Sequence, residues 1–140
     1  MKHRISFYYW IIAILCFYVE ASAGSVLIAN TSVKETSLSK ADITLIFLGK
    51  KTKWTDGQKI HVAVLKKGKT HETFLDFYIN KTPAKYSTFW KIAIISGTGF
   101  PPKFFQKEAD LISYVAKIKG AIGYISPETD PGPNHVIQVQ

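Results

Sequence analysis

The sequence predicts one α/β domain, a central mixed sheet flanked by helices. Three observations lead there. The short apolar runs at residues 26–29 and 121–125 are too brief for helices and too uniformly apolar for one-faced strands, so they suit buried strands. Between and around them, apolar residues recur at helical spacing. The composition, 46% hydrophobic, 14% aromatic and 20% charged over 140 residues, supplies one core and excludes a disordered or collagenous chain.

Residues 1–23 stand apart from that core. Lys2, His3 and Arg4 precede an uninterrupted apolar run over residues 7–19, closed by Ala21-Ser22-Ala23, the pattern of a secretory signal peptide cut after Ala23. The run is short for a bilayer span of about 20 residues. The expected organisation is therefore a signal peptide at 1–23 and a domain at 24–140, periplasmic or secreted, with no stable membrane span once the signal is removed. Cys16, the only cysteine, leaves with the signal, so the mature domain has no disulfide and no thiolate chemistry. A bulky Leu15 before Cys16 argues against a lipoprotein anchor. The net charge of +8 loses Lys2 and Arg4 and sheds Glu20, leaving +7, and every remaining basic residue is lysine. Planar bidentate recognition by guanidinium is thus absent.

The first mature element is a strand at 26–29, ended by Asn30-Thr31-Ser32. A helix follows, with Ser39 as N-cap, Asp42 three residues on, Leu38 and Ile43 as a hydrophobic staple, apolar Ile43, Ile46 and Phe47, and Gly49 past its end. A polar loop through Trp54 and Asp56-Gly57 leads to a strand at 60–65 with alternating Ile60, Val62 and Val64. After Lys66-Lys67-Gly68-Lys69, Thr70 is expected to cap a helix with Phe74, Phe77 and Tyr78 on its apolar face. Thr82 and Pro83 open the next, which places Tyr86, Phe89, Trp90 and Ala93 on one side and stops at Ser96-Gly97-Thr98-Gly99. A fourth helix over 106–119 carries Leu111, Val115 and Ile118, and strands at 121–125 and 136–139 close the chain around a proline-rich loop at 127–133.

Few of these residues look chemical. His61, His71 and His135 fit no zinc spacing and read as structural or surface residues, and neither metal nor cofactor is expected. Ser96 follows a helix rather than the strand of a hydrolase elbow, and no carboxylate pair sits in apolar surroundings, so the sequence argues against an enzyme. Lysines spread over the whole length, without arginine, argue against nucleic acid. The aromatic residues mostly hold helix-face positions, Trp54 excepted. Asn30-Thr31-Ser32 and Asn80-Lys81-Thr82 are glycosylation sequons, relevant only in a eukaryotic secretory pathway. The helix start at Gly68, Lys69 and Thr70, with Lys66 and Lys67 beside it, can attract an anion through its free amides. The plain alternative is a lysine-rich connection that keeps the surface soluble.

The residue string itself resembles phosphate-binding proteins of ABC transporters. Leu38-Ser39-Lys40-Ala41-Asp42-Ile43-Thr44-Leu45-Ile46-Phe47-Leu48-Gly49-Lys50 with Trp54-Thr55-Asp56-Gly57 is similar to the family's block of strand, asparagine, helix, I-F-x-G-K, tryptophan and D-G. Phe74, Trp90, Ser96-Gly97-Thr98-Gly99 with Pro101-Pro102, and Gly120-Ala121-Ile122-Gly123-Tyr124-Ile125 are similar to its later elements. The resemblance implies a type II periplasmic-binding fold, of which this length accommodates one lobe. It implies an exported protein binding a small anion such as phosphate for an ABC-type transport or sensing system; the alternative is a non-catalytic interaction module that has lost its ligand. Residues 65–70 match the family's basic loop at Gly68 and Thr70 but not at its arginine, its aspartate or its Ser-Gly pair. The ligand candidates so implied are Thr31, Ser32, Gly68, Lys69, Thr70, Ser96, Gly97 and Thr98. One lobe supplies half the contacts, so a second copy or a membrane-protein partner is expected to complete the cleft, on one face carrying Thr31, the 68–70 turn and the 96–102 loop. Phe100 in that loop either contacts the partner or tucks under its own turn.

Overall fold

Each apolar run that the sequence marks as a strand is one. The computed structural model describes residues 24–140, so the expected signal peptide lies outside the described residues. The strands are β1 (Val26–Ala29), β2 (Ser37–Leu38), β3 (His61–Leu65), β4 (Lys103–Phe105), β5 (Ala121–Ile125) and β6 (His135–Val139). They form a six-stranded sheet in the order β2-β6-β1-β5-β3-β4. β1 lies antiparallel between β5 and β6, with Leu27 opposite Tyr124 and Ile137, whereas β5, β3 and β4 run parallel. All five residues of β5 are buried, as its uniform hydrophobicity requires for a strand covered on both faces and both edges.

Helices cover the two faces. On one, α4 (Glu108–Lys117) buries Leu111 and Val115 against β5 and β3, and a Cβ on Gly123 would stand 2.8 Å from Leu111 Cδ2, so the helix sits directly on the strand. The other face carries α1 (Lys40–Phe47), α2 (Lys69–Phe74) and α3 (Pro83–Ser96). Tyr124 points to this side, its ring stacked on Phe74 at 3.8 Å between centroids and tilted toward Phe47. The capping reading holds at two helix starts, where Ser39 Oγ accepts from the Asp42 amide at 3.1 Å and Thr82 Oγ1 accepts from the Lys85 amide at 3.2 Å. Tyr86 on α3 ties that helix to α1 by donating to the Phe47 carbonyl at 2.6 Å.

The structure corrects the reading of the second helix in two ways. Its N-cap is Gly68, whose carbonyl accepts from Glu72 N at 3.0 Å; Thr70 lies inside the first turn. Gly68 adopts φ 104°, a region that L side chains avoid, and so does the chain-turning that a capping threonine was expected to do. Second, the helix continues into a π turn over Leu75–Ile79. The extra residue per turn rotates the following side chains, burying Leu75, Tyr78 and Ile79 and leaving Phe77, expected on the apolar face, 43% exposed beneath the Lys40 ammonium. β2 and β4 are further additions to the expected element list, each too short to leave a pattern in sequence.

Trp54 and Gly120 fix the entry to β5. Gly120 donates its amide to Ser32 Oγ at 3.0 Å, and its carbonyl accepts from Trp54 Nε1 at 2.9 Å and His61 N at 3.2 Å. Two loops and the start of β3 are thereby fastened to one residue with φ 79°, where an added Cβ would lie 2.1 Å from the Lys59 carbonyl oxygen. Gly57 also has positive φ, 87°, but open space where its Cβ would be. Gly120→Ala should therefore cost about 3 kcal/mol or more, against about 1 kcal/mol for Gly57→Ala, in urea denaturation; equal losses would show that the Lys59 contact is not a constraint.

Candidate functional site

The eight candidate residues divide between the two ends of the sheet. β3 and β5 run parallel with His61 opposite Ala121, so Gly120 and the residues bonded to it mark the His61 end, whereas residues 66–70 follow Leu65 at the other. Five strand residues at about 3.3 Å per step separate the two by about 13 Å. Thr31 and the 96–102 loop, expected on one contact face with the 68–70 turn, therefore lie at the opposite end of the sheet from it.

At the Leu65 end, Lys66, Lys67, Gly68 and Lys69 are exposed and Thr70 is half-buried. A Cβ added at Gly68 would meet no atom of a non-neighbouring residue within 4 Å, so on that side the backbone is open to an approaching group. The first-turn amides of α2 have no intrahelical acceptor, which concentrates partial positive charge beside three ammoniums. Glu128 stands near Lys69; its own Ser126 partner, and more weakly Lys69, hold its carboxyl below the ordinary range. The turn is an open, cationic surface with two carboxylates close by, Glu128 at its margin and exposed Glu72 in the first turn of α2.

Beneath it lies a buried polar chain. Leu65 N donates to Tyr124 Oη at 3.1 Å, and Tyr124 Oη is 2.5 Å from Nδ1 of His71, which is 2% exposed in the third position of α2. Burial pushes the Tyr124 hydroxyl pKa upward and lowers that of His71 to about 4. The phenol thus keeps its proton and donates it to a neutral imidazole, and the start of α2 is bolted to β3 and β5. This histidine is structural, as its lone spacing suggested, though nothing in the sequence marks Tyr124 as its partner.

At the His61 end, Thr31 is exposed and Ser32 is spent on structure, accepting from Gly120 N and donating to Gln58 Oε1 at 3.4 Å. Asn30 is buried, donating to the Val115 and Ala116 carbonyls at 2.8 and 3.0 Å, so the first sequon is closed to glycosylation in the folded chain. Gly97 caps α3 in the left-handed region, and Thr98 N donates to the Ala93 carbonyl at 3.0 Å. Ser96 ends the helix exposed, while Gly97 and Thr98 line a cavity of about 760 Å³. That cavity lies among the end of α1, the 97–103 segment and the start of β3, and it includes Lys51, Lys53, Lys59 and Lys103. Sequence reading passed over these lysines, because nothing in a polar loop at 50–59 says that it folds back against residues 97–103. Among the described residues, no group of histidines and carboxylates could hold a metal ion, and no helix is long and apolar enough to cross a membrane.

Solved structures share this architecture. The chain superposes on a Clostridium perfringens protein assigned to phosphate ABC transport and solved with bound phosphate, with a TM-score of 0.63 and 21% identity over 83% of this chain and 44% of that one. PstS from Borrelia burgdorferi gives 0.63 at 15% identity, covering 84% and 47%, and an ABC-type phosphate transport receptor from Vibrio cholerae gives 0.58 at 17%, covering 83% and 46%. The fold is therefore that of a type II periplasmic-binding-protein lobe, and the chain spans less than half the length of these proteins. No family model and no curated protein matches the sequence.

The His71 contact has a pH signature. Its folded pKa lies below the ordinary value of 6.5, so the unfolded chain binds the proton more readily, and the stability present above pH 6.5 is lost as pH falls toward 4. Between pH 7.5 and 5 the loss should reach about 2 kcal/mol in urea denaturation. His71→Leu should flatten that interval; an unchanged slope would mean that another group titrates there.

Proposed function

We propose that this is an exported anion-binding protein of the solute-binding class, which holds phosphate or a similar oxyanion at the 68–70 turn for an ABC-type transport or sensing system. Export rests on the signal-peptide pattern of residues 1–23, which is cut to leave the domain at 24–140. The observation that carries the binding reading is the turn itself. A glycine N-cap with open surroundings, unbonded helix amides and three flanking ammoniums answers a compact oxyanion, in a fold shared with phosphate receptors and in a loop resembling their basic loop at Gly68 and Thr70. The remaining candidates, Thr31, Ser32, Ser96, Gly97 and Thr98, lie at the far end and are not part of this half-site.

The chemistry is binding rather than catalysis. Lysine ammoniums act as point charges, and without the family's arginine they fix an anion's position less tightly than a guanidinium fork would. A solvent-open turn also leaves the anion partly hydrated, so affinity in isolation is weak and a second wall, from another copy or a membrane protein, raises it. The same openness, with Glu128 at the margin, favours the second reading, an interaction module that has lost its ligand.

Titration calorimetry with phosphate, sulfate and acetate separates the two. Millimolar phosphate binding, weakened several-fold by Lys69→Ala and by Thr70→Ala, is expected. No heat from any anion at millimolar concentration would leave the interaction module standing.

A further inference from the structure

The cavity at the His61 end is unlike the 68–70 turn in both size and chemistry. Its volume of about 760 Å³ falls within the usual range for sites that enclose organic ligands, and an oxyanion such as phosphate occupies only a small fraction of it. One part of its wall is apolar, formed by Val62, Phe100 and Pro101 with the narrow exposed edges of Ile60 and Trp90; the other carries Lys53, Lys59 and Lys103. No carboxylate lines it among the described residues.

Of the lysines there, only Lys51 has a carboxylate partner among the described residues. Lys51 is paired with Asp42 at 3.5 Å, the one ion pair among the described residues. Lys59 and Lys103 instead have their ammoniums 5.4 Å from the Phe100 ring centroid and 5.7 Å from that of Tyr114. Ring faces offer these cations a weak substitute for an anion. Phe100 is 85% exposed at the cavity's edge, so the alternative of tucking under its own turn is not what the chain does. An apolar side chain so exposed beside unpaired cations gains from any occupant with an apolar body and a negative head.

We propose that this cavity binds an organic anion, a carboxylate, sulfonate or phosphate ester on an aromatic or aliphatic body. Its charged group meets Lys59 and Lys103, and its body lies against Trp90, Ile60 and Val62. The site is separate from the oxyanion half-site, which lies beyond the other end of β3.

Two fluorescent probes test this: 1-anilinonaphthalene-8-sulfonate, and N-phenyl-1-naphthylamine, which has the same rings without the sulfonate. The sulfonate should bind at a single site, shift the amide resonances of Gly97 and Gly99, and bind about tenfold more tightly than the uncharged probe. Lys59→Gln with Lys103→Gln, both at exposed positions, should erase that preference while leaving the fold unchanged by circular dichroism. Lys69→Ala with Thr70→Ala should leave probe binding untouched even if phosphate binding fails, which separates this proposal from the oxyanion reading. Equal affinity for the two probes, a preference surviving the double glutamine variant, or loss of probe binding in the 68–70 variant would each overturn it.

Discussion

The molecule depends on the strand Ala121–Ile125 being buried on every side. Such a strand cannot tolerate bulk or polarity at arbitrary positions, and its sequence meets each demand locally. Gly120 turns the chain in and is bonded to two loops and the start of β3; Gly123 lets α4 approach; Tyr124 fills the opposite face with a ring stacked on Phe74. The one hydroxyl this brings into the core is satisfied twice, by the Leu65 amide and by His71. A buried hydroxyl left unpaired would cost about 1–3 kcal/mol, so the histidine and the tyrosine justify each other.

Charge is organised differently at the two ends of the sheet. At one, lysines flank an exposed backbone turn, where water screens them and the proposed anion would be held from one side only. At the other, exposed lysines flank apolar walls, where an occupant that displaced water would strengthen each interaction and shape would add selectivity. The absence of arginine from residues 24–140 acts on both ends alike. Compact, strongly hydrated ammoniums attract anions without dictating their orientation, so under the two proposals discrimination among anions would fall to backbone geometry at the first end and to the cavity walls at the second.

Much of the fold was legible in the sequence because the main elements carry redundant signals. The helix at Lys40–Phe47 has a cap, a staple, a periodic face and a terminal glycine, and the buried strands announce themselves by uniform hydrophobicity. What escaped notice were features with no local signature. β2 and β4 span two and three residues and exist because a neighbour offers free backbone. The π turn that exposes Phe77 is an accommodation between Phe74 and the residues that must reach the core after it. The site was less legible than the fold. Residues 68–70 stood out through glycine and lysines, but resemblance also drew in Ser32 and Gly97, whose polar groups hold the chain to itself. The lysines of the cavity come from separate segments, and only tertiary folding brings them together.

β1 and β6 are neighbours running in opposite directions, with Leu27 beside Ile137 and Ala29 beside His135. The beginning of one therefore lies next to the finish of the other, on the same side of the sheet's end. A short linker could close that gap, and the exposed Asp56-Gly57 turn could be opened instead, giving a circular permutant with the same sheet order. The same adjacency means that the unit can be grafted into a loop of a host protein through two closely spaced junctions.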